Sequence, residues 1–138
     1  VSAFLLNRSS DLSFIALIHL KTGRMDFCNA GHNPPILDGQ FLAVESNAPI
    51  GLWQGLDFVG ESVESIKGLP LFVYSDGLNE AENRRQEQFG DDHLLEILHN
   101  SHFSNAKQVI DFLCSEVEKH RDGAEPNDDL TMMALKVV

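Results

Sequence analysis

Two aspartates, Asp76 and Asp128, are the residues whose type and setting best suit chemistry. Asp76 follows the apolar run Leu69-Pro70-Leu71-Phe72-Val73-Tyr74, separated from it by Ser75, and precedes Gly77. Asp128 and Asp129 stand just before a second run, Leu130 to Val138. A short apolar run bounded by turn residues reads as a buried strand. An acid at the tip of a strand is held in place and still reaches solvent. Two such tips brought together form an oxygen-rich pocket suited to a hard divalent cation such as Mg²⁺ or Mn²⁺. Spacing alone does not require the tips to meet. The competing reading of Asp76 is a strand-end turn acid relaxed by Gly77. For Asp128 and Asp129 it is a solvated acidic turn, Glu125 to Asp129.

Other chemistries find less support. Cys28 and Cys114 are the only cysteines. A Cys-x₅-Arg phosphatase loop would need arginine at position 34 or 120, where Pro34 and His120 stand. Both cysteines read as small buried hydrophobes, and their number suggests a reducing compartment rather than a disulfide framework. His19, His93, His99, His102 and His120 show no zinc-like spacing with cysteine and read as surface or packing residues. No Ser-His-Asp set is visible. Arg84 and Arg85 form the only adjacent Lys/Arg pair. An arginine near a metal centre could grip phosphate bidentately; the competing reading is a solvated loop.

The 138 residues suit one domain, and 43% hydrophobic content is enough for one core. Ten Lys plus Arg against 21 Asp plus Glu give a net charge of −11. Such a surface repels phosphate backbones, so nucleic acid is not an expected partner. No apolar run reaches the roughly 18 residues needed to span a membrane. Val1 to Asn7 lacks the basic start of a signal peptide and reads as the tail of a helix from a longer chain.

The elements that must position the acids follow from pattern. Phe14 to Leu20 is a strand-like run, Lys21 to Arg24 a turn, and Met25 to Asn29 the returning strand. Ile36-Leu37, Asp38-Gly39 and Gln40 to Val44 read as a second hairpin, since Asp-Gly suits a type I′ turn. Ser46 to Gly55 is loop-like, with Trp53 as loop anchor or partner contact. Leu56 to Val63 and Leu69 to Tyr74 are further strands. Asp91 to Asn100 is helical, with Leu94, Leu95 and Leu98 at helical spacing. A longer helix is expected from an N-cap at Ser104 to about Arg121, burying Val109, Ile110, Leu113 and Val117, with Gly123 as stop.

Four segments then occur in order: Cys28-Asn29-Ala30-Gly31-His32-Asn33-Pro34-Pro35, Tyr74-Ser75-Asp76-Gly77-Leu78-Asn79-Glu80-Ala81, Phe89-Gly90, and Asn127-Asp128-Asp129-Leu130-Thr131. Over nearly the whole of residues 1–138 this series resembles the bacterial metal-dependent serine phosphatases of the stage-II-sporulation-protein-E type, within the type 2C (PPM) superfamily. The resemblance implies an α+β fold, an α-β-β-α sandwich of two antiparallel sheets flanked by helices. It implies two Mn²⁺ or Mg²⁺ ions at a metal site of Asp76, Gly77, Asp128 and Asp129, with Asp76 and Asp128 as the catalytic ligands and Asp129 as the second acid of its pair, orienting the loop. Such a metal pair supplies a bound hydroxide for in-line attack and neutralises phosphoryl oxygens. His32, which stands where eukaryotic relatives carry an acid, would position its hairpin or contact phosphate together with Asn33.

The implied substrate is phosphoserine on a small STAS-type anti-sigma-factor antagonist. The implied setting is the cytoplasm, with an upstream sensor or receiver domain and often a homodimer. One motif of the family is missing. No Gly-His-Gly segment precedes Ala30, and the aspartate that would bridge the metals belongs to it. The expectation is therefore the C-terminal portion of a phosphatase domain, or a degenerate domain serving as a binding module. A metal-dependent hydrolase of small phosphoesters is a third reading.

Overall fold

The computed structural model describes residues 2–7, 12–45, 47–51 and 54–138, with only the backbone for residues 2–7. Trp53 lies outside them. The chain divides into two compact units, Val1–Pro34 with Leu42–Leu69 and Lys136–Val138, and Pro35–Phe41 with Pro70–Leu135.

The first unit is built on a four-stranded sheet in the order β1-β2-β3-β6. These strands are β1 (Ser2–Asn7), β2 (Ser13–Ile18), β3 (Met25–Ala30) and β6 (Glu61–Val63). Each neighbouring pair is antiparallel, and Phe14 faces Asn29 in the β2–β3 hairpin. Alternate side chains Phe14, Ala16 and Ile18 are buried, as are Met25 and Phe27 on the partner strand. The Phe14 and Phe27 rings lie 5.8 Å apart. Ser2–Asn7 is thus a strand, where the sequence suggested a helix tail. The full-length ladder with β2 is a non-local partner that the isolated heptapeptide does not advertise. The strand expected over Leu56 to Val63 shrinks to Glu61–Val63, with Leu56, Phe58 and Val59 exposed. The preceding loop is tied down by Asn47, whose amide donates to the Asn29 and Val59 carbonyls, both at 3.1 Å.

The second unit carries the sheet β5-β4-β7-β8. Its strands are β4 (Ile36–Leu37), β5 (Gln40–Phe41), β7 (Pro70–Tyr74) and β8 (Met132–Lys136). The β4–β5 turn has φ of 51° at Asp38 and 76° at Gly39, the paired positive angles that a type I′ hairpin demands. Strand β7 is buried from Leu71 through Tyr74, so both of its faces are covered. Helix α1 is the short turn Asp76–Asn79; α2 (Asp91–Asn100) and α3 (Ala106–Arg121) are longer. Leu94 of α2 and Val109, Leu113 and Val117 of α3 join Ile36, Phe72, Tyr74, Leu78 and Phe89 in one core.

The cap of α3 is Asn105 rather than Ser104. Its side chain accepts from the Gln108 amide at 3.0 Å, while the Gln108 side chain accepts from Ser104 N at 2.9 Å. The preference fits the strength of Asn as an N-cap and places Ser104 one position outside. Cys114 is exposed, not buried. It lies one residue, about 100° of helical turn, from the Val109-Leu113-Val117 stripe. Cys28 is half-buried on the alternate face of β3, where burial pushes its thiol up.

Candidate metal centre

Strand β7 ends at Tyr74, and the next two residues do different work. Ser75 occupies the N-cap position of α1 yet makes no capping bond. Its hydroxyl instead donates to the Asp129 carbonyl at 3.1 Å and accepts from Thr131 N at 2.9 Å. Ser75 N also donates to the Thr131 carbonyl at 2.9 Å. Three hydrogen bonds therefore fasten the tip of β7 to the loop that leads into β8. Ser75 is only 6% exposed, so these bonds run in a sheltered setting where breaking one leaves an unsatisfied partner.

Gly77 makes the approach closer still. A Cβ there would overlap the Asp129 carbonyl oxygen and lie 2.7 Å from its carbon. Only a residue without a side chain lets the first turn of α1 rest against this loop. Further along, Asn127 Nδ2 donates to the Glu80 carbonyl at 2.9 Å. Asp128 Oδ1 accepts from the Asp129 amide at 2.7 Å, which folds the loop on itself. The two strand tips therefore do meet. Asp76 and Asp128 are both half-buried, and Asp129 is exposed. Below them, Tyr74 donates its hydroxyl to Asp91 Oδ1 at 3.1 Å, and burial, with Asp91 alongside, pushes its phenol well up.

The sequence pointed to Asp76, Gly77, Asp128 and Asp129, and their segments adjoin. It missed Ser75 and Asn127, the residues that join them. Their signal was present as a Ser directly before Asp-Gly and an Asn directly before Asp-Asp, but neither reads as a clamp until the loops are in contact.

His32 and Asn33 belong to the first unit. His32 is 8% exposed. Its backbone N and O are bracketed by the Asn29 amide group at 2.9 and 2.8 Å. Its Nδ1 lies 2.8 Å from the Asn33 carbonyl, an acceptor, so Nδ1 carries the proton. These contacts shape a tight turn. The Asn33 Nδ2 atom is buried without a hydrogen-bond partner.

The donor set fits a hard divalent cation in kind, since the closely joined loops offer carboxylate oxygens. It falls short in number. Among the described residues no group of three or more His, Cys, Asp or Glu is placed to hold a metal ion.

Solved structures share this architecture. The SiaA PP2C domain of Pseudomonas aeruginosa superposes with a TM-score of 0.76 at 15% identity, covering 91% of this chain and 51% of that one. The PP2C phosphatase domain of SpoIIE from Bacillus subtilis, with a fragment of its regulatory domain, gives 0.73 at 23% identity, covering 92% and 40%. The RsbU and RsbW domains of a Mycobacterium tuberculosis protein give 0.61 at 27% identity, covering 91% and 35%. The fold is that of the type 2C phosphatase domains.

The family model of stage II sporulation protein E matches residues 11–138, and the chain belongs to that family. Protein IcfG of Synechocystis sp. (strain ATCC 27184 / PCC 6803 / Kazusa) is 30% identical over 126 residues, which is 88% of this chain and 20% of IcfG. The chain thus spans about a fifth of that relative and roughly half or less of the solved chains named above.

Proposed function

We propose that this chain belongs to a metal-dependent protein-serine/threonine phosphatase that removes phosphate from phosphoserine on a small STAS-type regulator of sigma-factor control. Residues 1–138 form part of one phosphatase domain, acting in the cytoplasm under an upstream sensor or receiver domain, in a homodimer. The observation that carries the reading is the clamped pair of acidic loops, Ser75-Asp76-Gly77 against Asn127 to Thr131. Asp76 and Asp128 would hold Mn²⁺ or Mg²⁺, which when bound supplies an acidified water and charge neutralisation for the phosphoryl group. Ser75 and Gly77 fix the separation of the acids, and Asn127 holds the second loop down. His32 and Asn33 are proposed to face the phosphate side of the substrate.

A second reading is a phosphatase fold that binds its partner without hydrolysis. It draws support from the absence of a three-acid cluster among the described residues. One assay separates the two. Mn²⁺-dependent phosphate release from a phosphorylated STAS protein is measured for this chain, for the longer gene product, and for Asp76→Asn in the latter. Turnover in the longer protein that falls by three orders of magnitude or more with Asp76→Asn is the expected result. Partner binding without turnover in every form favours the binding module. Undiminished turnover in Asp76→Asn overturns the metal assignment.

A further inference from the structure

On a chain of net charge −11, the one pair of adjacent arginines, Arg84 and Arg85, is exposed and borders a cavity. A cavity of about 260 Å³ is lined by Asn83, Arg84, Arg85, His120 and Asp122. It opens between the turn that follows α1 and the end of α3. Each wall continues into one of the acid-bearing loops, Asp76 into Asn83 on one side and Asp122 into Asp128 on the other.

The turn is rigidly built. The Asn83 side chain accepts from Arg85 N at 2.8 Å and Glu87 N at 3.1 Å. Its amide donates to Glu87 Oε2 at 2.7 Å. Gln86 sits at φ 61°, a left-handed conformation uncommon for a long side chain. Glu82 bridges Gln88 beneath it. His120 Nε2 donates to the Glu87 carbonyl at 2.9 Å, pinning the turn to α3. Across the gap, Arg84 lies against Gly123, where an added Cβ would come 2.6 Å from Nη2. Gly123, at φ 78°, leaves the room that this guanidinium fills.

The local charge balance is unusual. The cations of Arg24, Lys107 and Lys119 are each paired with an acid two to four residues away. Arg85 shares Glu87 Oε2 with Asn83, and Arg84 has no acid within ion-pair distance among the described residues. Next to His120, Arg121 is 6% exposed, and its Nε and Nη2 lack hydrogen-bond partners. Among the described residues its ion pair is with Glu118, which is 71% exposed and so heavily screened. Asp122 adds one carboxylate to the lining, opposite in charge to the two arginines.

We infer that this cavity is a docking site for an acidic peptide segment of a protein partner. Its carboxylate side chains would meet Arg84 and Arg85, and an adjacent backbone N–H would meet Asp122. Guanidinium forks suit such planar oxyanions. The site goes beyond the phosphatase reading, because it needs neither a phosphoester nor a metal.

The test uses the full 138-residue chain without divalent cation. A capped Glu-Asp-Glu-Asp peptide is titrated while arginine Nε–H and His120 ring signals are followed by NMR. Saturable shifts at Arg84, Arg85 and His120 are expected, weakening as salt rises. A capped lysine peptide of equal length should produce none. Arg84→Gln with Arg85→Gln should weaken binding tenfold or more, and Lys67→Gln should leave it unchanged. If the double variant does not fold, Arg85→Gln alone carries the test, since that side chain is 79% exposed. Absent shifts at these residues, or shifts that survive the arginine substitutions, overturn the proposal. Because the peptide carries no phosphate, neither result depends on whether the chain is a phosphatase.

Discussion

Ser75 and Gly77 show how much of a site can depend on residues that perform no chemistry. Asp76 and Asp128 sit on separate loops, and Ser75 makes hydrogen bonds that join those loops. Gly77 does the rest by lacking a side chain. Substituting Gly77→Ala forces a methyl group into the Asp129 carbonyl, and neither partner is a flexible side chain that can swing away. Overpacking of this kind costs roughly 1–3 kcal/mol. The expected outcome is a lower denaturant midpoint together with weaker Mn²⁺ affinity. An alanine variant with wild-type values of both would show that the loops are not in this contact. The setting of Asp76 at the end of a strand was legible in the sequence, because an apolar run followed by Asp-Gly marks a strand end. The clamp was not, since Ser75 and Thr131 are 56 positions apart in the chain.

At the scale of elements, legibility tracks how local the determinant is. The Asp38-Gly39 hairpin was readable because its turn type is fixed by two residues that tolerate positive φ. Helix α2 was readable from leucine spacing and two opening acids. Strand β1 was not, since its identity comes from its ladder with β2. The stretch Leu56 to Gly60 is apolar enough to read as strand, yet only Glu61–Val63 finds a partner. The α3 cap came out one residue off, a matter of Asn against Ser. Asn105→Ala should remove the bond to Gln108 N and destabilise the chain by about 1 kcal/mol. Ser104→Ala, which leaves that bond intact, should cost much less in the same urea titration.

The turn at Asn83 carries a pH prediction. The Asn83 amide, and then Arg85, hold the Glu87 carboxyl below its usual value. A depressed carboxylate contributes stability above its unfolded pKa, about 4.3 for glutamate, and loses it as pH falls through the folded value. Glu87 should therefore titrate below the usual glutamate range by ¹³C NMR, and Asn83→Ala should move its midpoint upward. A midpoint unmoved by that substitution would remove the Asn83 contact as the cause.

For the whole molecule, the surplus of acids bears on any cation measurement. Divalent ions will gather around a chain of net charge −11 without a specific site. A true site is distinguished by saturation and by its dependence on one carboxylate. At a hundredfold excess over Kd, a single bound ion adds about 2.7 kcal/mol to the folded state. Saturating Mn²⁺ should raise Tm by several degrees, and Asp76→Asn should abolish the saturable part while leaving the diffuse background. A rise equal in both proteins would mean that Asp76 binds no ion.

The joining of β7 to the loop before β8 also fixes a moment in the life of the polypeptide. On the ribosome, Asp76 emerges with its strand and its turn already specified, but it has nothing to face. The carbonyl and amide that Ser75 needs belong to Asp129 and Thr131, which are translated more than 50 residues later. Until they appear, the serine hydroxyl and the glycine notch are half of a joint. A nascent chain paused between the two loops carries Asp76 without the segment that Ser75 grips, so the joint can close only after Thr131 has been made.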